Sequence, residues 1–166
     1  MVKAAIKVLN DLVDAGIIRN YGIGGAMGAM FYAEPVNTFD LDVFVVLPEE
    51  ASGLLSLSAL YEALQIRGHK AEAEYIVVEG VPIQFLPAYN VLLEEALQHA
   101  VELDYDGEPA SVLRVEYLLA ICVQTGRPKD RARVSVLLEQ ADVDTEYLHS
   151  ILGRHNLSGK WKEWTQ

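Results

Sequence analysis

Two aspartates one residue apart lead directly into an uninterrupted apolar run. The run is Val43-Phe44-Val45-Val46-Leu47, and Pro48 closes it. Five consecutive apolar residues with β-branched and aromatic members predict a buried strand. Because alternate side chains of a strand point to the same face, Asp40 and Asp42 are expected side by side at its start. Neighbouring carboxylates repel each other unless a cation lies between them, and Mg²⁺ (or Mn²⁺) accepts one or two carboxylates while keeping places for water and phosphate.

A glycine pair, Gly24 and Gly25, lies upstream of these aspartates. It ends a short apolar run that predicts a strand around Ile18 to Ile23, and a small-residue helix is expected from Ala26 to Ala33. Glycine lets the backbone approach a phosphate closely, and a helix N-terminus offers free N–H groups. The segment therefore predicts a phosphate-binding turn.

A strand, a Gly-Gly turn, a helix and a strand that opens with Asp-x-Asp together resemble the nucleotidyltransferase superfamily of the DNA polymerase β fold, over residues 18 to 47. Thr38, just before Asp40, is typical of the branch that contains the AbiEii-type toxin nucleotidyltransferases and their uncharacterised bacterial relatives. The resemblance implies that Asp40 and Asp42 hold the metal ion and that Gly24, Gly25 and Thr38 contact a nucleoside triphosphate. It also implies metal-dependent transfer of a nucleoside monophosphate to a hydroxyl acceptor, and an antitoxin or other partner protein.

The resemblance places a third metal-binding carboxylate on a later strand, where this chain has Gln84. An amide oxygen is a weak replacement for a carboxylate that holds a second metal ion or takes a proton. Glu72, Glu74 or Glu79 would replace it only in another strand register. Two further interpretations therefore stand beside the enzyme: a catalytically degenerate member that binds a nucleotide or a partner protein, and an unrelated α+β domain.

Basic residues are concentrated at the predicted start of a C-terminal helix, in Arg127-Pro128-Lys129-Asp130-Arg131-Ala132-Arg133. Lys129 and Arg133 are four residues apart and share a helix face. The AbiEii-like group often carries a similar Lys-Asp-Arg helix start facing the cleft, which implies that Lys129 and Arg131 neutralise phosphate charge. A solvated helix start with local salt bridges is the alternative. A lysine that the same branch often has in the preceding helix is replaced here by Cys122 or a neighbour.

Composition limits the remaining possibilities. The chain has 166 residues, 51% of them hydrophobic, and a net charge of −11 from 13 Lys and Arg against 24 Asp and Glu. So acidic a chain is not expected to carry an extended nucleic-acid surface. The single cysteine excludes an internal disulfide. With no signal peptide and no apolar run of membrane-spanning length, the expected location is cytoplasmic.

The length and the order of elements predict one α+β domain, with a mixed sheet and flanking helices in residues 1–113 and a helical part in 114–166. Hairpin turns are predicted at Glu79-Gly80 and Asp106-Gly107, and Pro82 suggests a partial edge strand. The other predicted features are a first helix ending near Gly16, a third helix capped near Ser52, helix caps at Asn90 and Asp144, a helix end at Gly153, and a tail that docks through Trp161 and Trp164.

Overall fold

In the computed structural model, residues 1–34, 40–48 and 57–166 are described. Their strands form one seven-stranded mixed sheet in the order β3-β4-β5-β2-β1-β7-β6, which confirms the predicted α+β class. Strand β1 is antiparallel to β2 and parallel to β7, and β2 is parallel to β5. The strands are β1 (Asn20–Gly24), β2 (Leu41–Val46), β3 (Lys70–Glu72), β4 (Tyr75–Val78), β5 (Val81–Pro87), β6 (Val101–Tyr105) and β7 (Glu108–Val112).

Helices cover both faces of this sheet and form two hydrophobic cores. One core packs Leu41, Val43 and Val45 of β2 against α1 and α3, and the other packs Phe44 against the helices that follow the sheet. The alternation of β2 therefore turns Asp42 and Phe44 toward the C-terminal helices. The helices are α1 (Val2–Asp14), α2 (Gly25–Ala29), α3 (Ser58–Ile66), α4 (Val91–Gln98), α5 (Val115–Thr125), α6 (Pro128–Gln140), α7 (Thr145–Arg154) and α8 (Ser158–Thr165).

Most of the predicted turns and caps are confirmed. Both hairpin turns have two residues of positive φ, at Glu79-Gly80 and Asp106-Gly107, as a type I′ turn requires. Asn90 Oδ1 accepts a hydrogen bond from the Leu93 amide at 2.9 Å, and Asp144 Oδ1 accepts one from the Tyr147 amide at 3.0 Å. In the tail, Trp161 is buried in the second core and Trp164 packs against it. The predicted cap at Ser52 lies outside the described residues.

Strand β5 is a partial edge at Pro82, as the sequence suggested, although the strand as a whole lies inside the sheet. It is an interior strand, paired with β4 on one side and β2 on the other. Pairing with β2 begins only at Ile83, which faces Leu41. Pro82 is tolerated because its missing N–H lies outside the segment that β2 pairs with.

Two helices end where the sequence did not predict. Helix α2 stops at Ala29. After it, the backbone amides of Phe31 and Tyr32 donate to the carbonyls of the residues three positions earlier, which is the tighter hydrogen-bond pattern of a 3₁₀ turn. Helix α7 continues through Gly153 to Arg154, and Asn156 takes the left-handed conformation just after it. Among the described residues, no helix is both long and apolar enough to cross a membrane.

Candidate active site

The two aspartates lie at the start of β2, on the face of the sheet that the C-terminal helices cover. Asp42 is within the strand, between Gly24 of β1 on one side and Gln84 of β5 on the other. Asp40 directly precedes the strand, and both side chains are half-buried. Because β2 and β5 are parallel and in register here, Gln84 and Asp42 share a face. The register that the sequence suggested for Gln84 is therefore the observed one, and Glu79 lies in the hairpin turn, away from the aspartates.

The carboxylate of Asp42 leaves no room for a side chain at Gly25. Its φ is +59°, a conformation that glycine adopts readily. A Cβ at this position would overlap Asp42 Oδ2 and lie 3.0 Å from Asp42 Cγ. Gly24 is restricted in a similar way, because a Cβ there would lie 2.8 Å from the ring of Phe44. The glycine pair therefore makes room for the first side chains of β2.

A buried acid anchors the basic start of helix α6. The Asp130 carboxylate is 1% exposed and accepts from Arg127 Nε at 2.7 Å, from a second guanidinium nitrogen of Arg127 at 3.1 Å, and from the Arg127 amide at 3.1 Å. Arg133 lies 3.5 Å from its other oxygen. Burial alone would raise the pKa of Asp130, but the hydrogen bonds from Arg127 lower it below its ordinary value. Asp130 thus holds two guanidinium groups at the mouth of the cleft.

A first cavity, of about 370 Å³, separates the aspartates from helix α6, and we name it the α6 cavity. Asp40 and Asp42 lie on its sheet side, and Lys129 and Arg133 lie on its helix side. The structure thus brings Lys129 and Arg133, the pair predicted to share a face, to the same cavity as the two carboxylates. It is lined by Ala26, Ala29, Met30, Ala33, Glu34, Asp40, Asp42, Arg127, Lys129, Ala132, Arg133, Val136 and Leu137.

Arg131, by contrast, is not brought to this cavity. Its guanidinium carbon lies 5.9 Å from the centroid of the Trp164 ring, and its side chain is exposed. Two residues along a helix correspond to a rotation of about 200°, so Arg131 points away from the face that Lys129 and Arg133 share. Arg133, and not Arg131, therefore lies with Lys129 opposite the two aspartates.

A second cavity, of about 250 Å³, adjoins Asp42 on its β5 side, and we name it the α5 cavity. It shares Asp42, Arg127 and Arg133 with the α6 cavity. Cys122 is at its wall, where burial raises the thiol pKa to about 11. It is lined by Gly25, Asp42, Phe44, Gln84, Leu86, Tyr89, Leu118, Ile121, Cys122, Thr125, Arg127, Asp130 and Arg133.

The pKa of Asp42 depends both on its place in the sheet and on the basic groups at the start of α6. Burial raises the pKa of Asp42, and the Asp40 carboxylate raises it further. Arg133, Lys129 and Arg127 act in the opposite direction. Without a bound cation, the ionised form of Asp42 is therefore disfavoured, and these three basic groups compensate only in part.

This pair of carboxylates fits a divalent cation. Half-burial, mutual repulsion and the raised pKa of Asp42 are the properties that a bound cation would relieve. Mg²⁺ commonly uses one or two carboxylates and completes its shell with water and phosphate oxygens. Within the described ranges, no cluster of three or more His, Cys, Asp or Glu side chains is placed to hold a metal. The ion would therefore depend on the carboxylates of Asp40 and Asp42. The Gln84 amide lies beside Asp42 on the neighbouring strand.

Three residues complete the comparison of the predicted site with the observed one. Thr38, predicted to contact the nucleotide, lies outside the described residues. Asp130 and Tyr89 were not singled out as site residues. The signal for Asp130 was its position three residues after the N-cap Arg127, where an acid can accept from the backbone. Nothing in the local sequence marks Tyr89.

The fold is that of nucleotidyltransferase-like proteins, as comparison with solved structures shows. An antigenic nucleotidyltransferase-like protein from Paracoccidioides brasiliensis has a similar structure, with a TM-score of 0.59 and 15% identity over 96% of this chain and 91% of that one. ANT(2″)-Ia in complex with adenylyl-2″-tobramycin gives a TM-score of 0.55 with 14% identity, over 96% of this chain and 98% of that one.

The solution structure of ANT(2″)-Ia gives a TM-score of 0.53 at 12% identity, over 93% of this chain and 90% of that one. No protein-family profile and no curated protein matches the sequence. The similarity is therefore one of fold, and the closeness to AbiEii-type toxins stays a prediction.

Proposed function

We propose that this protein transfers a nucleoside monophosphate from a nucleoside triphosphate to a hydroxyl acceptor, with the help of a divalent metal ion. The observation that carries the proposal is the α6 cavity, where the carboxylates of Asp40 and Asp42 face the cations of Lys129 and Arg133. Opposed charges of this kind suit a metal-bound polyphosphate, which needs carboxylates for the metal and cations for the phosphates.

Asp40 and Asp42 would hold the metal, Mg²⁺ or Mn²⁺. When bound, such an ion neutralises phosphate charge and supports the developing charge on the reacting oxygens. Gly25 contributes by leaving space for the Asp42 carboxylate, so that the carboxylate keeps its place beside Asp40.

Lys129 and Arg133 would bind the phosphates that leave as pyrophosphate. Asp130 orients these cations. It accepts hydrogen bonds from Arg127 and pairs with Arg133, which keeps the Arg133 guanidinium near the cleft. In the reaction, the acceptor oxygen bonds to the α-phosphorus and the bond from that phosphorus to the bridging oxygen breaks. Pyrophosphate leaves with the electron pair. The hydroxyl proton passes to water, because the Gln84 amide has no basic atom to receive it and Asp40 and Asp42 would be occupied by the metal.

The complex of ANT(2″)-Ia with adenylyl-2″-tobramycin supports a hydroxyl acceptor for a chain of this fold. The antitoxin partner and the cytoplasmic location, both expected from the sequence, stay predictions.

A matched pair of substitutions on α6 tests the proposal. Lys129→Ala removes a cation from the α6 cavity, whereas Arg131→Ala removes one from the same helix that faces Trp164. Calorimetry with Mg²⁺ and a non-hydrolysable ATP analogue should show at least about tenfold weaker binding for Lys129→Ala, since a charge-assisted contact contributes about 1.5–3 kcal/mol.

Arg131→Ala should bind the analogue as the unmodified protein does. Equal losses in both variants would indicate that only the general charge of the helix matters, and would contradict the assigned phosphate site. Transfer of radiolabel from an α-labelled nucleoside triphosphate, measured in parallel, distinguishes the enzyme from a protein that binds nucleotide without chemistry.

A further inference from the structure

We propose that the α5 cavity is the acceptor site, and that it accepts a small, uncharged hydroxyl compound carrying a flat ring. The inference rests on the proposed function, because it names the acceptor for the same reaction. It is carried by the position of the cavity relative to Asp42, by the chemistry of its wall and by the exposed ring of Tyr89.

Position is the first argument. In a phosphoryl displacement the attacking and leaving oxygens lie roughly in line, on opposite sides of the phosphorus. The α6 cavity has residues of α2 and Lys129 in its wall, whereas the α5 cavity has Gln84 and Leu86 of β5. Both cavities reach Asp42, and from there the α6 cavity extends along α2 toward Lys129, whereas the α5 cavity extends from Gly25 across Asp42 to β5. With the leaving phosphates beside Lys129, the attacking hydroxyl enters from the α5 cavity.

The wall of the α5 cavity is the second argument. Four apolar side chains from the sheet and from α5 form one part of it, namely Phe44, Leu86, Leu118 and Ile121. Gln84 and Thr125 add an amide and a hydroxyl, and Thr125 already donates to the Ile121 carbonyl at 2.9 Å, which leaves its oxygen to accept. Among the described lining residues, the acids are Asp42, at the shared boundary, and Asp130, which Arg127 and Arg133 satisfy. Arg127 and Arg133 also line the cavity, so its two guanidinium groups and its two carboxylates balance in charge. Such a wall suits a neutral ring with a hydroxyl group.

Tyr89 is the third argument. Tyr89 is 69% exposed where it borders the α5 cavity, so its ring face is available to a ligand. The adjacent Asn90 fixes the backbone at this point: its Oδ1 caps α4, and its Nδ2 donates to Gln124 Oε1 of α5 at 3.0 Å. Stacking of an aromatic side chain on a planar ligand ring contributes about 1–3 kcal/mol in single-stranded nucleic-acid binding. Tyr89 is thus an exposed ring next to a fixed backbone position, and it can stack on a ligand that enters the cavity.

The experiment uses methyl-resolved NMR of the full chain with Mg²⁺ and α,β-methylene-ATP. The probes are phenyl β-D-glucoside and methyl β-D-glucoside, which present the same sugar hydroxyls but differ in the ring. Phenyl glucoside should shift the methyl signals of Leu86, Leu118 and Ile121, and the nucleotide should shift those of Ala132 and Val136 in the α6 cavity.

Tyr89→Ala should weaken phenyl glucoside binding by about tenfold, to the level of methyl glucoside, as loss of one stacking contact predicts. Val91→Ala is the matched control, because Val91 is equally exposed at 69%, lies two residues away and is outside the cavity wall. It should leave binding unchanged. Since both positions are exposed, the methyl spectra of the two variants should retain the native pattern.

Two results would overturn the inference. In one, phenyl glucoside shifts none of the α5-cavity methyl groups, or binds Tyr89→Ala as well as the unmodified protein. In the other, the nucleotide itself shifts Leu86, Leu118 and Ile121 and is weakened by Tyr89→Ala, so that the cavity holds the nucleobase. Failure of the proposed function gives a different pattern, in which the nucleotide perturbs neither cavity while phenyl glucoside still binds through Tyr89.

Discussion

At the scale of single residues, the carboxylate of Asp42 determines what its neighbours can be. Gly25 has no side chain because Asp42 Oδ2 occupies the place of a Cβ. Gln84 lies opposite Asp42 on β5, and Arg133 and Lys129 compensate its charge from α6. Strand alternation predicted that Asp40 and Asp42 lie side by side, and the resemblance implied the position of Gln84. The sequence predicted a phosphate contact for Gly25, but the packing of that glycine against a side chain 17 residues away depends on the β1–β2 register.

The first prediction concerns Gly25. Gly25→Ala forces an alanine into φ +59° and pushes the Asp42 carboxylate aside. It should destabilise the fold by about 1–2 kcal/mol for the left-handed backbone alone and should also weaken Mn²⁺ binding. Urea unfolding and calorimetry measure the two effects separately.

Gly16→Ala is the control for this change. Gly16 has φ +74°, and a Cβ there would meet nothing within 4 Å. It should cost a similar backbone strain and leave Mn²⁺ affinity unchanged. If the two variants bind Mn²⁺ equally well, Gly25 does not position Asp42.

The second prediction concerns the pH dependence of Asp42. Because burial and Asp40 raise its pKa in the folded protein above the ordinary 3.8, its ionisation opposes folding. Without metal, its unfavourable effect should be absent below pH 3.8 and should grow as pH rises through the folded pKa. Asp42→Asn should therefore stabilise the metal-free protein at pH 7 by about 0.5–2 kcal/mol. Denaturation curves at several pH values, in the presence of a chelator, measure the difference; a variant less stable than the parent at pH 7 would contradict it.

The third prediction concerns Gln84. Gln84→Glu keeps the shape of the side chain and places a third carboxylate beside Asp42. It should destabilise the metal-free protein, tighten Mn²⁺ binding and raise transfer if the amide limits the reaction. If metal affinity and transfer both stay as they are, the Gln84 position has no part in the metal site.

At the scale of elements, the unpredicted features are those without a local hydrophobic signal. Strand β3 forms from Lys70, Ala71 and Glu72, all exposed, so no periodicity marks it. The hairpins and the caps of α4 and α7 were predictable, since their turn residues and acceptor side chains act locally. The rotation of α6 that turns Arg133 inward and Arg131 outward follows from the packing of Val134 and Leu137 in the second core, which is long-range information.

The fourth prediction concerns Glu95, which joins α4, α5 and α7. Its carboxylate accepts from the Tyr117 hydroxyl at 2.6 Å and pairs with Arg154 and with His155. Burial would raise the pKa of Glu95, but the hydrogen bonds from Arg154, Tyr117 and His155 lower it to about 2. Its contribution to folding should thus be complete above pH 4.5 and decline as pH falls toward 2.

Glu95→Gln should lower the free energy of unfolding by about 1–3 kcal/mol at pH 7, allowing for the half-exposed Arg154. The deficit should shrink between pH 4.5 and pH 3. The exposed neighbour Glu94 provides the control, and Glu94→Gln should unfold as the parent does. A deficit that is the same at pH 3 and pH 7 would show that the carboxylate charge is not its source.

At the scale of the whole molecule, a strongly acidic chain places Arg127, Lys129 and Arg133 around the two carboxylates of one cleft. Four of its thirteen Lys and Arg residues lie between Arg127 and Arg133, while the net charge is −11. Composition and periodicity predicted the α+β class and the helical C-terminal part. They did not predict that two cavities meet at Asp42, because α5, α6 and the sheet come together only through the long-range contacts of the second core.

The most direct test of the central claim is the affinity for Mn²⁺ in the presence of α,β-methylene-ATP, measured by calorimetry on the parent and on Asp40→Asn/Asp42→Asn. The double variant keeps the shape of both side chains and removes both charges. We expect it to fold with equal or greater stability and to lose binding of the metal and of the metal-dependent nucleotide complex. Unchanged Mn²⁺ affinity in a folded double variant would contradict the assignment of these carboxylates as the metal site.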